Sequence, residues 1–257
     1  MNLLKALVIA NRPVAKKTYL MELGVEAKEF QATPGQFVMI RVTGTTDPLL
    51  RRAFSVSLLT KPNIVHILYR VVGKATELMK NMERGAELDL LGPLGNGFEL
   101  PPDRKKAIVL IGGGIGIAPL LFLASELRAW EIKFMAGFGS KEDVVDLDEV
   151  QALLATEDGS HGYRGSVTGL FEAELKKGLP RDLEVYSCGP WGMLKTVARI
   201  CKEHDLDCQV SLESAMACGL GACQGCAVKA LGEDAPTYYH VCGHGPVFRA
   251  SEIDWGT

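Results

Sequence analysis

The chain has little excess charge of either sign, few cysteines for its size, no internal repeat and no low-complexity tract, and each shortage removes a class of protein. Lys and Arg number 28 against 31 for Asp and Glu, a formal charge of −3. The global basic footprint of a nucleic-acid-binding chain is therefore missing, and no nucleic-acid partner is expected. Seven cysteines in 257 residues are too few for a disulfide scaffold, and the odd number leaves at least one thiol unpaired. The start, MNLLKALVIANRP, breaks its short apolar stretch at Lys5 and lacks a small-residue cleavage site. No secretory signal is expected, and the cytoplasm is the expected compartment. One uncharged run, AIVLIGGGIGIAPLLFLA at 107–124, reaches the lower length limit of a membrane helix. Its three consecutive glycines and Pro119 suit a strand, a glycine loop and a helix start instead, so no membrane span is expected.

What is present is an ordinary globular composition, 47% hydrophobic and 23% charged, long enough for two compact domains and a small third. Up to about residue 100 the texture is short runs at period two or fully apolar: QFVMIRV (36–42), FSVSLL (54–59) and IVHILYRVV (64–72). They predict an antiparallel barrel, interrupted by a helix over GKATELMKNME (73–83). PPDRKK (101–106) reads as a linker. Strands then alternate with helices: AIVLI before APLLFLASELRAW, KFMAGFG before DLDEVQALLA, LEVYSCG before PWGMLKTVARICKE. Such alternation predicts a doubly wound parallel sheet. The expected organisation is a barrel at 1–101, an α/β domain at 102–206 and a small Cys-rich domain at 207–257.

That last segment holds Cys218, Cys223, Cys226 and Cys242, a C-x4-C-x2-C run followed by fifteen residues and a fourth Cys. This is the plant-type [2Fe–2S] spacing. Four thiolates must surround two irons whose sulfides attract backbone N–H donors, and Gly219, Gly221 and Gly225 permit the necessary wrapping. The alternatives are a structural zinc site, which usually brings two close pairs where only Cys223 and Cys226 form one, and two disulfides, which do not suit a cytosolic chain. Cys201, on a helix, and Cys208, just before a strand, read as small buried hydrophobes. His240 and His244 flank Cys242 but are assigned no role.

GGGIGIAP (112–119) follows an apolar strand and opens a helix, where free N–H groups and the helix dipole favour phosphate. It departs from G-x-G-x-x-G at Ile117. Gly112, Gly113, Gly114, Gly116 and Pro119 are candidate nucleotide contacts, with a plain tight turn as the alternative. Cys188, Gly189 and Pro190 end a second apolar strand, at the kind of place where open parallel sheets bind ligands. A nicotinamide gives or takes two electrons as hydride, whereas a [2Fe–2S] cluster passes one at a time. A flavin converts between them, and its site is sought in the barrel. RAFS contributes Arg52, Ala53, Phe54 and Ser55, offering a cation and a hydroxyl. YRVVGKAT contributes Tyr69, Arg70, Val71, Gly73, Ala75 and Thr76, running from a strand into a helix start suited to a pyrophosphate. Tyr69 alone reads equally as a core residue.

Together these motifs resemble the ferredoxin-reductase superfamily, in which a barrel with R-x-[FY]-S binds FAD and a following domain with GGxGxxP and CGP binds the nicotinamide. More narrowly, SLESAMACGLGACQGCAV (211–228) with HVCGHGPVF (240–248) resembles the electron-transfer subunits of dihydroorotate dehydrogenase B. The resemblance implies that Arg52, Phe54 and Ser55 contact the flavin, Tyr69 and Arg70 its edge and phosphates, and Gly73 with Thr76 the pyrophosphate, while the four tail cysteines ligate the cluster. Ala53 and Phe54 stand where that family commonly has proline and an aliphatic residue, and Ala75 where a G-x-G-T pattern expects glycine. The resemblance further implies an FMN-containing catalytic partner in a two-plus-two assembly that oxidises dihydroorotate, with electrons passing through the cluster and FAD to NAD+. The nearly uncharged loop ACGLGACQGC is the expected docking face.

Glu157 and Asp158 occupy the position where NADP-dependent relatives carry Ser and Arg for the 2′-phosphate, so NAD is the expected nucleotide and Asp158 its candidate ribose contact, against a nearby Arg164. The nearest competing reading is an NAD(P)H–ferredoxin oxidoreductase or sulfur-reducing subunit of the same superfamily, whose first cluster position is often aspartate where Cys218 stands here. A non-enzymatic iron–sulfur redox sensor is the rival of another class.

Overall fold

The computed structural model describes residues 2–60, 63–101, 106–146, 150–180, 182–232 and 236–256. The amino-terminal strands β1 (Asn2–Ala15) and β2 (Thr18–Val25) form a hairpin. They are followed by β3 (Phe37–Arg41), β4 (Arg52–Ser55), β5 (Leu58–Thr60), β6 (Ile64–Arg70), helix α1 (Lys74–Lys80) and β7 (Glu87–Leu94). The antiparallel order is β4-β3-β7-β1-β2-β6-β5. Strands β4 and β5 thus sit at opposite edges, yet only Val56 and Ser57 separate them in the chain. Two residues span roughly 7 Å, so the edges must meet and the sheet curls into a barrel. The Val56 N–H donates to Gln36 at one edge and the Ser57 N–H to His66 at the other.

Strand β3 explains why part of this region reads as continuously apolar. Val38 and Ile40 point into the barrel core with Val65 and Ile67, whereas Phe37 and Met39 point outward into a second core shared with Cys226, Cys242 and Phe248. Both faces are buried, so polar alternation is lost.

The second sheet is built from β8 (Ala107–Gly113), α2 (Ile117–Glu126), β9 (Ile132–Phe138), β10 (Ala152–Thr156), β11 (Tyr163–Arg164), α3 (Val167–Lys176), β12 (Leu183–Cys188), α4 (Trp191–Glu203) and β13 (Asp207–Ser211). A small hairpin of β14 (Ala227–Lys229) and β15 (Tyr238–His240) precedes β16 (Val247–Arg249). The order is β11-β10-β9-β8-β12-β13-β16, parallel except for β16. The winding reverses between β8 and β12, which opens a crevice beyond their carboxyl ends. The run 107–124 divides into strand, one-turn helix and helix, and among the described residues no helix is long and apolar enough to cross a membrane.

Two expectations need correction. DLDEVQALLA is not the expected helix: Ala152–Thr156 is a strand in register with Phe134–Phe138 of β9, and 147–149 lie outside the described residues. A short apolar run has no period that separates helix from strand, and pairing with β9 decides it here. Cys208 lies within β13 rather than before it. The sheet also continues past residue 206, because β13 and β16 extend it. Of the expected linker, 102–105 lie outside the described residues.

A polar junction fixes the barrel's exit against this sheet. The Gln209 amide accepts from the Glu99 N–H at 2.9 Å and donates to the Glu99 carbonyl and the Glu184 carboxylate, both at 2.8 Å. The Tyr186 hydroxyl donates to the same Glu99 carbonyl. Arg249 of β16 closes the group by pairing with Glu99 and Glu184. Gln209 and Glu184 are buried, so each partner is costly to orphan. Replacing Gln209 by Leu should lower unfolding stability by about 2–4 kcal/mol in denaturant titration. Glu99→Ala removes only an exposed ion pair and should cost less than about 1 kcal/mol.

Candidate functional site

At the switch point, Gly112 of β8 lies opposite Cys188 of β12. The loops beyond them pack so closely that a Cβ on Gly116 would overlap the Cys188 carbonyl, and one on Gly113 would lie 2.5 Å from the Met193 sulfur. Gly189 backs onto Gly113. Gly114 has φ +54° and faces open space, a left-handed turn beside the crevice. Pro119 is buried in the first turn of α2, and Pro190 caps α4. The Cys188 thiol is fully buried, which pushes its pKa far above the ordinary thiol range. Asp158 follows β10, and its N–H donates to Gly139 past the end of β9. Its carboxylate accepts from the Ser160 hydroxyl at 2.6 Å and N–H at 2.9 Å, which hold it below the usual range.

A cavity of about 540 Å³ runs between the barrel and this crevice. Its barrel wall contains Arg52, Ala53, Phe54 and Ser55 of β4, then Tyr69 and Arg70 of β6, then Gly73, Ala75 and Thr76 at the start of α1. A Cβ on Gly73 would meet nothing within 4 Å, so that stretch of backbone is open to a ligand. The Thr76 hydroxyl accepts from the Val72 and Gly73 N–H groups and so shapes the turn. Val71 is not in the wall but packs against the barrel core. Tyr69 reaches the cavity but is only 1% exposed, and its hydroxyl donates to Asn11, whose amide caps carbonyls at the end of α1. Burial pushes its pKa up to about 12. Arg70 pairs with Asp143 at 3.3 Å across the boundary between barrel and sheet.

The opposite wall was not anticipated from the sequence. Ile115 and Ala118 come from the glycine loop and α2, Pro246 from the approach to β16, and residues 211–216 from the segment leaving β13. Met216 is two residues before Cys218, so the cavity wall and the cysteine loop are one continuous stretch. Adjacency in SLESAMACG was the available signal.

The loop gathers its thiols in two pairs. The Cys226 and Cys242 sulfurs are 3.3 Å apart and buried, while Cys218 and Cys223 interact nearer the surface. Leu220 and Cys223 N–H groups point at the Cys218 sulfur, and the Gly221 N–H points at that of Cys242. These donors, the Leu220 N–H first, lower the Cys218 pKa to about 6, whereas burial raises that of Cys242 to about 12. Among the described residues no three His, Cys, Asp or Glu groups converge on a single point. Two ligands for each of two metal atoms, with amides aimed at sulfur, fit a two-iron cluster better than one tetrahedral zinc. His240 and His244 stack on each other, and the His240 N–H donates to the His244 ring. Gly219 has φ +73°, and a Cβ there would strike Met39 of the barrel, so only glycine seats the loop on β3.

Residues 213–254 match the iron–sulfur cluster binding domain of dihydroorotate dehydrogenase B, and residues 6–98 match the oxidoreductase FAD-binding domain. A dihydroorotate dehydrogenase B (NAD+) electron transfer subunit from Caldanaerobacter subterraneus is 39% identical over 97% of this chain and 98% of its own. Its namesake from Fusobacterium nucleatum is 40% identical over 95% of each. The chain belongs to this family. Among solved structures, one of an NADH-dependent reduced ferredoxin-NADP oxidoreductase superposes with a TM-score of 0.85 at 28% identity, covering 97% of this chain and 90% of that one. Replacing Cys226 by Ser should abolish acid-labile sulfide and the cluster's visible absorption, whereas Cys201→Ser, within α4, should retain both.

Proposed function

We propose that this chain is the electron transfer subunit of an NAD-dependent dihydroorotate dehydrogenase. It receives electrons from an FMN-containing catalytic subunit at its [2Fe–2S] cluster and delivers them through FAD to NAD+ in a two-plus-two assembly. The observation that carries this reading is the continuity of residues 211–216, which wall the cavity at one end and enter the cysteine loop at the other. Flavin, when bound, supplies the conversion between single electrons and hydride.

The chain's own residues divide that work. Arg52, Arg70 and Lys74 bring positive charge to the barrel wall, where a pyrophosphate would lie over Gly73, Ala75 and Thr76. Ala53, Phe54 and Ser55 border the ring system, and Tyr69, tied to Asn11, holds the wall in place with Val71 behind it. The loops at Gly112, Gly113, Gly114, Gly116 and Pro119 and at Cys188, Gly189 and Pro190 receive the nicotinamide nucleotide, and Asp158 faces its ribose and disfavours a 2′-phosphate. Cys218, Cys223, Cys226 and Cys242 hold the cluster. The division into 1–101, 102–206 and 207–257 assigns one cofactor to each part, with β13 shared between the last two. Unpaired cysteines suit a reducing cytoplasm. The loop opens to the surface at Leu220, 46% exposed, and at Cys223, which is where a partner's cofactor would approach.

The fit to the ferredoxin-NADP oxidoreductase supports a second reading, in which the same path serves ferredoxin. Cysteine rather than aspartate at position 218 favours the first. Two measurements test the assignment. The isolated chain should reduce artificial acceptors with NADH yet oxidise no dihydroorotate until its catalytic partner is added; dihydroorotate-dependent NAD+ reduction by the chain alone would contradict it. In the acceptor assay, kcat/KM for NADH should exceed that for NADPH by about tenfold or more, and Asp158→Ala should narrow the gap. Equal efficiencies in the unaltered protein would remove Asp158 from the site.

A further inference from the structure

The cavity wall carries one acidic side chain among the described residues. Arg52, Arg70 and Lys74 stand on β4, β6 and α1, each already engaged: Arg52 with the Leu50 carbonyl, Arg70 with Asp143 and Lys74 with Asp47. Glu213 stands on the segment that joins β13 to the cysteine loop, and no hydrogen bond or ion pair to it occurs among the described residues. Ser211, two residues before it, pairs with Cys188 of β12, so the segment carrying Glu213 leaves the sheet beside the turn at Cys188–Pro190. The residue is exposed along the cavity wall, and desolvation of its carboxylate by the atoms packed around it raises its pKa.

Two other titratable groups stand near. Tyr69 is pushed up to about 12 and bonded to Asn11, and Cys188 is buried and shifted far upward. Neither exchanges protons near neutrality. Glu213 has the place and the solvent access for that task, and its carboxyl keeps its proton to higher pH than an ordinary one.

Proton balance gives it a task. A flavin that gains two electrons from a one-electron carrier also gains one proton, and the pair then leaves as hydride to NAD+. The hydride step itself consumes no proton, so the requirement falls on exchange with the cluster. Resting on the flavoprotein reading above, we propose that the Glu213 carboxyl is the group that gives this proton to the flavin during reduction from the cluster and takes it back in the reverse direction, exchanging with solvent between turnovers.

The test uses the holoprotein, with flavin content checked by absorbance, and the variants Glu213→Gln and Glu213→Asp. In rapid mixing, Glu213→Gln should slow electron exchange between flavin and cluster about tenfold or more beyond any change in flavin reduction by NADH. Glu213→Asp should recover part of the loss. Independently of turnover, the flavin midpoint potential plotted against pH should bend where Glu213 ionises, and Glu213→Gln should remove the bend. Equal slowing of both half-reactions, or an unchanged potential–pH curve, would overturn the proposal. A holoprotein without flavin would instead overturn the flavoprotein reading itself.

Discussion

The rest of the molecule depends on strand β13 being held between β12 and β16. Its pairing with β12 sets Ser211 opposite Cys188, so the chain leaves the sheet at the crevice where the two glycine loops meet. Its pairing with β16 sets Ser211 opposite Val247, which brings Pro246 to the same cavity. Between these contacts, residues 211–216 have no freedom to wander before the first cluster cysteine. Gln209, one turn of the pleat earlier on the same strand, grips the main chain of Glu99 and ties the barrel to the same frame. One strand therefore registers three parts of the chain against each other, and electron transfer, which falls steeply with distance, needs that register fixed.

Charge is distributed to match. The barrel side of the cavity carries three cations and an exposed turn of backbone, whereas the side toward the cysteine loop carries serines, small apolar residues and a single carboxylate. That distribution suits an elongated ligand with an anionic middle and a ring at one end. Phe37 and Met39 continue the apolar surface from the barrel into the core around Cys226 and Cys242, so the inner pair of thiols is shielded from water. Such shielding, with amides aimed at sulfur, is the environment that tunes a cluster.

Much of this was legible in the sequence because the chemistry demands particular residues at fixed spacing. The C-x4-C-x2-C run, the glycine loop and the CGP turn each state a local geometry, and the barrel strands around RAFS and YRVVGKAT were visible as runs. What the sequence hid was tertiary. ALLAT lacks a period of its own and becomes a strand only through its partner β9. Tyr69 reads alike as platform or core, and Asn11, fifty-eight residues away, decides that its ring is held in the barrel. The far wall of the cavity comes from three separate stretches of chain that only folding assembles. The place of β13 in two units at once is a property of the sheet order, which no linear pattern carries.

The central claim is that one chain conducts electrons internally between the nucleotide crevice and the cysteine loop. Anaerobic rapid mixing of the oxidised holoprotein with NADH, following flavin absorbance and the cluster's paramagnetic signal together, tests it most directly. The account predicts that the flavin is reduced first and that the cluster follows in a first-order step whose rate does not change with protein concentration. Cluster reduction that scales with protein concentration, or a flavin that is reduced while a dithionite-reducible cluster stays oxidised, would contradict it.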